Sequence, residues 1–211
     1  MPLLAQIDAV TLDLYGTLVT LRDPVPKLVE TLQERGIEAA AASVGTAFEA
    51  EFAYYGPRSH EARDEQSVAD LNRRCAQVFL EALGADLDPA EFAPSYVAAL
   101  EFEVVPGAPE SLRALRSRGL DLAAVTNWDV TVHERLSDLG LAPFFSHVVT
   151  SAEAGARKPD PAPFRRALDL LRVAPERAMH IGDDEADRMG AAATGMRFAS
   201  APLERALAEL L

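Results

Sequence analysis

The chain has 211 residues, with 33 acidic against 20 basic side chains and a formal net charge of −13. That length suits one medium domain, or a core with a small inserted module; so acidic a surface repels nucleic acid and anionic membranes, and no apolar run is long enough to span a bilayer. Cys75 is the only cysteine, which excludes an intramolecular disulfide, and Met1 to Asp8 has no basic residue ahead of its apolar stretch and meets an acid early, unlike a secretory signal, so a reduced cytoplasmic setting is expected.

In chain order, Ile7 to Leu12 is an apolar run that reads as a buried strand, delivering Asp13 to the point where a Gly16-Thr17 turn begins. Arg22-Asp23-Pro24-Val25-Pro26 then breaks the chain, and the spacing predicts helix as far as about Glu103. Val25, Leu28, Val29 and Leu32 form one apolar stripe stopped by Gly36; Val44, Phe48 and Phe52 form a second; Val68, Leu71, Cys75, Val78, Phe79 and Leu83 form a third that ends at Gly84. Asp88-Pro89 opens a further helix with Phe92, Tyr96 and Leu100 on its buried side. Successive helices with no strand between them predict a small bundle inserted into another fold.

From Val104-Val105-Pro106-Gly107 onward, strand and helix alternate. Leu112 and Leu115 stripe a helix ended by Gly119, Leu120 to Thr126 is a short apolar strand, Val130 to Leu139 is helical, and His147 to Thr150 is again strand-like. Asp160-Pro161 supplies an N-cap and a first-turn proline for a helix carrying Phe164, Leu168 and Leu171. Ala178 to Ile181 is the next strand, followed by a helix from about Glu185 and a last short strand near Arg197 to Ala199. Strands joined by helices imply a parallel sheet with both faces covered.

Four strand ends then carry chemistry: Asp13, Thr126-Asn127, Lys158-Pro159 in the loop after the third, and Gly182-Asp183-Asp184 with Asp187 one turn further. A parallel sheet puts all four on one edge, the edge where open α/β sheets bind ligands. Asp13, Asp183, Asp184 and Asp187 against Lys158 would leave about three uncompensated negative charges, a cost unless a cation joins them. Hard oxygen donors in that number suit Mg²⁺, which with Lys158 would let an anionic phosphoryl group approach an anionic nucleophile. The Thr126 hydroxyl and neighbouring backbone N–H groups can hold its equatorial oxygens. Taken singly, each residue has a plain reading as a turn, a cap or a solvated charge. Order and placement together are what point to a site.

The segments Asp13-Leu14-Tyr15-Gly16-Thr17-Leu18, Val125-Thr126-Asn127, Lys158-Pro159-Asp160 and Gly182-Asp183-Asp184-Glu185-Ala186-Asp187 resemble the four motifs of the haloacid dehalogenase-like hydrolase superfamily, and the resemblance covers nearly the whole chain. The helical insert resembles the cap of the subgroup whose cap follows the first motif. What this implies is an α/β fold: a Rossmann-like doubly wound parallel sheet core over residues 1–20 and 105–211, with an inserted α-helical bundle cap over 21–104. It implies Asp13 as nucleophile, forming a covalent aspartyl intermediate, Thr126 orienting substrate with Asn127 beside it, and Lys158 holding the charged cluster in place. Mg²⁺ would be bound by Asp13, the Tyr15 carbonyl and Asp183, with Thr17, Asp184 and Asp187 supporting, the last two through water or Lys158.

Tyr15 departs from the phosphatase pattern, which usually has a second aspartate there to protonate the leaving alkoxide and later deprotonate water. A phenol of pKa about 10 is a poor base at neutral pH. Losing that group costs roughly 10²–10⁴-fold on a poor leaving group and less on an acyl or aryl phosphate. The same Asp-x-Tyr-Gly-Thr form resembles the 2-haloacid dehalogenases, whose departing halide needs no proton. Those enzymes need no metal, usually carry small uncharged polar residues around positions 183 and 184, and tend to have tyrosine where Phe164 stands. The expectation is a Mg²⁺-dependent phosphatase acting on a small phosphorylated metabolite through an aspartyl-phosphate. The alternatives are a 2-haloacid dehalogenase using Asp13, and a binding or regulatory member of little turnover.

The cap is expected to close over the strand edge and select a small anionic substrate, with hinges near Pro24-Val25-Pro26 and Val105-Pro106-Gly107. Arg58, His60 and Arg63 in its middle loop, and Arg22, are candidate anion contacts; a solvated loop is the plainer reading. Trp128 could wall the pocket or simply pack. A monomer and a homodimer are both compatible with the cap stripes.

Overall fold

The computed structural model describes residues 7–210. The chain divides into two compact units, one built from the segments up to Thr20 and from Glu103 onward, the other from Leu21–Phe102. In the first, β1 (Ala9–Leu12) leads, and the chain leaves along β2 (Val19–Leu21). The second unit holds α1 (Val25–Gln33), α2 (Ala41–Tyr55), α3 (Glu65–Leu83) and α4 (Pro89–Ala98). The chain returns along β3 (Phe102–Val104), which pairs with β2 in a separate two-stranded sheet that the sequence pattern does not announce. There follow α5 (Ala108–Ser117), β4 (Asp121–Thr126), α6 (Val132–Asp138), β5 (His147–Thr150), α7 (Ser151–Ala154), α8 (Ala162–Leu171), β6 (Ala178–Gly182), α9 (Glu185–Thr194), β7 (Arg197–Ser200) and α10 (Leu203–Leu210).

The main sheet has five strands in the order β5-β4-β1-β6-β7, all parallel. β1 lies at its centre and is buried at every position, so both faces are covered. Register fixes which residues share a face: Thr11 pairs with Ala123 on one side and His180 on the other, while Leu12 pairs with Ala124 and Ile181. On the face that includes Val125, the buried residues Phe164, Ala167 and Leu168 of α8 and Ala191 of α9 close the core. α10 packs on α5 and β7. Among the described residues, no helix is long and apolar enough to cross a membrane.

Local chemistry sets the helix starts. Asp88 accepts from Ala90 N–H ahead of Pro89, and Asp184 and Thr150 each close a capping box with the residue three positions on. The predicted cap of α8 is displaced by one residue: Pro161 occupies the N-cap, and Asp160 instead accepts from Ala162 N–H at 2.8 Å.

The second unit packs around Leu28, Leu32, Val44, Phe79, Phe92 and Tyr96, with the Phe79 and Tyr96 rings 4.9 Å apart. The apolar stripe expected through Val44, Phe48 and Phe52 of α2 is not the buried face. Phe52 is 44% exposed, and the buried face runs through Val44, Ala47 and Glu51. Glu51 is tolerated inside because the Tyr96 hydroxyl donates to it at 2.7 Å and the Cys75 thiol also bonds it.

Candidate active site

The site stands at the end of the central strand. Beyond Leu12, the Asp13 N–H donates to the Ile181 carbonyl at 2.9 Å, which holds Asp13 alongside β6. Its carboxylate, 6% exposed, accepts from the Lys158 ammonium at 2.6 Å. Lys158 reaches it from the loop before α8, and Asn127 at the end of β4 determines where that reach begins. The Asn127 amide oxygen accepts from Lys158 N–H at 2.7 Å and its NH₂ donates to the Lys158 carbonyl at 3.1 Å. Both ends of the Asn127 amide therefore engage backbone. Thr126, the last residue of β4, is buried at the same sheet edge.

The ammonium has a second partner. Lys158 donates to Asp187 Oδ1 at 2.5 Å, and that oxygen also lies 2.8 Å from His180 Nε2. His180 Nδ1 in turn lies 2.8 Å from the Thr11 hydroxyl. All of these groups are buried. His180 and Thr11 do not figure among the sequence candidates; the available signal was a lone histidine in an otherwise apolar buried strand.

Of the remaining acids, Asp183 is exposed and accepts a long hydrogen bond, 3.4 Å, from the Thr17 hydroxyl. Gly16, at φ +85°, lies against the Asp183 carboxylate with no space for a Cβ, so the turn after β1 requires glycine on two counts. Asp184 is set apart: its carboxylate caps α9, accepting from Asp187 N–H at 2.8 Å. Tyr15 is 38% exposed and bridges to Val19 through its backbone. Phe164 is fully buried, edge-on to the His180 ring at 4.9 Å. Trp128 is buried, and its carbonyl accepts from the Ser151 hydroxyl. In the second unit, Arg22 pairs with Glu101, Arg58 lies over the Tyr54 ring at 3.9 Å, Arg63 donates to the His60 carbonyl, and His60 Nδ1 is buried without a hydrogen-bond partner.

Burial and charge act against each other throughout. Asp13 is pushed up to about 7, by burial first and by Asp187 as well, against the opposing pull of Lys158. Burial would raise Asp187 too, but the bond from His180 and the charge of Lys158 hold it well below the usual carboxylate range. Lys158 would be lowered by burial, yet Asp13 and Asp187 together raise it, so it stays an ammonium. Burial lowers His180, which keeps the ring neutral. Burial and then Asp183 raise Tyr15, which makes its phenol a still weaker acid and leaves less phenolate to act as a base.

One carboxylate oxygen each from Asp13, Asp183 and Asp187 lie within 4.8 Å of one another. With the single Lys158 charge among them the group carries a net −2, and its donors are all hard oxygens. That donor set fits a divalent cation of the magnesium type.

A five-stranded parallel sheet carrying a lysine-braced aspartate at the end of its central strand, with further acids at the head of the helix after β6, defines a hydrolase of the haloacid dehalogenase type. The chain belongs to that family: a sequence model of the haloacid dehalogenase-like hydrolases matches residues 7–195. It is 34% identical over 205 residues to haloacid dehalogenase-like hydrolase domain-containing protein 3 of Bos taurus, covering 90% of this chain and 80% of that one. It is 36% identical over 200 residues to a phosphoglycolate phosphatase of Rhodospirillum rubrum, covering 89% and 76%. Among solved structures, the L-2-haloacid dehalogenase of Xanthobacter autotrophicus has the same fold, with a TM-score of 0.68 at 22% identity over 92% of this chain and 77% of that one.

Proposed function

We propose that this protein is a divalent-metal-dependent phosphatase that hydrolyses a small phosphorylated metabolite through an aspartyl-phosphate on Asp13. The observation that carries this reading is the charge of the site: Asp13 and Asp187 share one ammonium, and a third carboxylate, Asp183, has an oxygen within 4.8 Å of theirs. That arrangement is costly for a substrate anion unless a cation is also held. Asp13, Asp183 and the Tyr15 carbonyl would hold Mg²⁺, which when bound supplies positive charge that offsets the phosphoryl oxygens.

Asp13 then attacks phosphorus; the Asp13 oxygen–phosphorus bond forms, the bond to the leaving oxygen breaks, and the departing alkoxide or phenoxide takes its proton from water. In the second step a water attacks the same phosphorus, the bond to Asp13 breaks, and inorganic phosphate leaves with the carboxylate restored. Lys158 favours the ionised form of Asp13 by direct contact, Asn127 keeps Lys158 in place, and Thr126 orients the phosphoryl oxygens. Because Tyr15 offers neither a strong acid nor a base, substrates with good leaving groups are favoured. The helical unit serves as the cap that selects among them.

Tyr15 is also the observation that favours a second reading, halide displacement from a 2-haloacid by the same Asp13. One experiment separates them. The purified protein is assayed for p-nitrophenol release from p-nitrophenyl phosphate with Mg²⁺ and with EDTA, and for halide release from 2-chloropropionate. Mg²⁺-dependent phenol release that Asp13→Asn abolishes is the expected result. Halide release unaffected by EDTA would establish the second reading instead, and undiminished activity in Asp13→Asn would refute both.

A further inference from the structure

We propose that His180 is a positioning residue for the Lys158–Asp13 pair, locked by Thr11 in the tautomer that carries its proton on Nε2, and that it seats the Asp187 carboxylate on which the Lys158 ammonium rests. The proposal rests on the reading of Asp13 as nucleophile.

The polar groups form one buried chain. Thr11 Oγ1, His180 Nδ1, His180 Nε2, Asp187 Oδ1, Lys158 Nζ and Asp13 Oδ1 follow each other, with non-covalent contacts of 2.8, 2.8, 2.5 and 2.6 Å. Chemistry fixes its direction. An ionised carboxylate can only accept, so Nε2 must carry the proton that meets Asp187. A neutral ring then has Nδ1 bare, and the Thr11 hydroxyl donates to it. The pairing of β1 with β6 places Thr11 directly opposite His180, so the sheet itself builds the lock.

The ring has no freedom to leave this arrangement. Phe164 stands edge-on at 4.9 Å, and Phe198 stacks at 6.4 Å. Phe164 is itself held by Gly190, where a Cβ would have no space against the ring. Asp187 needs such a partner. It sits in the first turn of α9, its Oδ2 has only a 3.4 Å contact with the Asp184 N–H, and Lys158 alone would fix one direction of Oδ1. The bond from His180 fixes a second direction, and with it the point on which the ammonium rests while it also contacts Asp13.

Two measurements test this on the full-length protein. In ¹⁵N-histidine-labelled wild type, the His180 proton is expected on Nε2, with Nδ1 unprotonated, and the Lys158 side-chain signals are expected to shift toward those of a mobile lysine in His180→Leu. A proton on Nδ1, or unmoved Lys158 signals, overturns the proposal. Both are read without turnover, so a wild type inert toward p-nitrophenyl phosphate would count against the phosphatase reading alone. With an active wild type, His180→Leu is expected to lower kcat about 10–100-fold, the range found for residues that orient directly engaged groups. KM should change by less than about threefold, because an interaction at the nucleophile and not with bound substrate is lost. His180→Gln, whose amide nitrogen can stand where Nε2 stands, should restore kcat to within about threefold of wild type. Equal losses in the Gln and Leu variants, with both folded by their melting curves, would show packing alone and overturn the proposal.

Discussion

Lys158→Met removes the ammonium that bridges Asp13 and Asp187 while keeping the length of the side chain. At an effective dielectric of about 20, unit charges 2.6 and 2.5 Å apart attract by roughly 6–7 kcal/mol each. That sum overshoots the loss, because the variant also escapes the cost of burying the ammonium, which is several kcal/mol. Asp187 further retains the bond from His180. Breaking a buried pair by removing one partner costs about 3–5 kcal/mol, and that is the expected destabilisation at pH 8 in EDTA. With a urea m-value of roughly 2 kcal/mol/M, the midpoint falls by about 1.5–2.5 M.

The deficit depends on pH, with a sign fixed by the direction of the shifts. Asp13 already titrates near 7 in the folded protein, above its unfolded value of 3.8, and losing Lys158 raises it further. A carboxyl raised on folding binds a proton that the unfolded chain has released, so stability falls as pH rises from the unfolded value through the folded one. The gap between variant and wild type should therefore widen from pH 5 to pH 8. Urea melts at both pH values measure it. A Lys158→Met protein within about 1 kcal/mol of wild type at pH 8, with the same gap at pH 5, would refute the claim that the ammonium holds these carboxylates together.

Tyr15→Asp should raise turnover of an alkyl phosphate by about 10²–10⁴-fold while changing p-nitrophenyl phosphate hydrolysis far less, and equal gains on both would show that leaving-group protonation is not what Tyr15 lacks. Asp184→Ala should cost about 1 kcal/mol by loss of the α9 cap, a melting shift of roughly 2–4 °C, with kcat/KM reduced by less than about tenfold; abolition of turnover would place Asp184 in the charged cluster after all. Burial raises Glu51 above its unfolded value of 4.5, so its ionisation costs the folded state stability as pH climbs past that value. Glu51→Gln keeps an acceptor for Tyr96 and cannot ionise, so denaturant melts should favour the variant more at pH 8 than at pH 4. A stability difference independent of pH would show that Glu51 is not held in a raised state.

How far the sequence is legible follows from the kind of information each feature needs. Asp13, Lys158 and Asp187 stand out because each lies in the stretch of chain after a strand that the local pattern reveals, and a parallel sheet then aligns the strand ends. The Thr11–His180 contact does not, because it depends on the register between strands 169 residues apart, and nothing local to either strand encodes it. The stripe on α2 failed for a geometric reason. Steps of four, from Val44 to Phe48 to Phe52, drift around a helix by about 40° each, so a run of two such steps leaves the buried face. Val44, Ala47 and Glu51 mix a step of three with a step of four and stay on it. A glutamate in that position looks like a surface residue until Tyr96, on another helix, is seen to satisfy it. β2 and β3, three residues each, are too short for alternation to declare them.

The two leading chemistries differ in how they meet the charge at the sheet edge, and here the structure sharpens what the sequence could only bound. Counting acids along the chain leaves about three negative charges in excess of Lys158. Asp184, however, accepts from Asp187 N–H as the cap of α9 and lies outside the three-carboxylate group, although burial and Asp187 raise it above its ordinary value. That leaves Asp13, Asp183 and Asp187 against Lys158, an excess of two. Asp187 is already satisfied by Lys158 and His180, so the excess falls on Asp13, which burial drives toward protonation, and on Asp183, whose donor in Thr17 is 3.4 Å away. A metal-free dehalogenase would have to hold its nucleophile ionised with Lys158 alone against the burial that raises it. A divalent cation held by Asp13 and Asp183 would match the excess in both magnitude and place, and would favour the ionised carboxylate that the proposed attack on phosphorus requires.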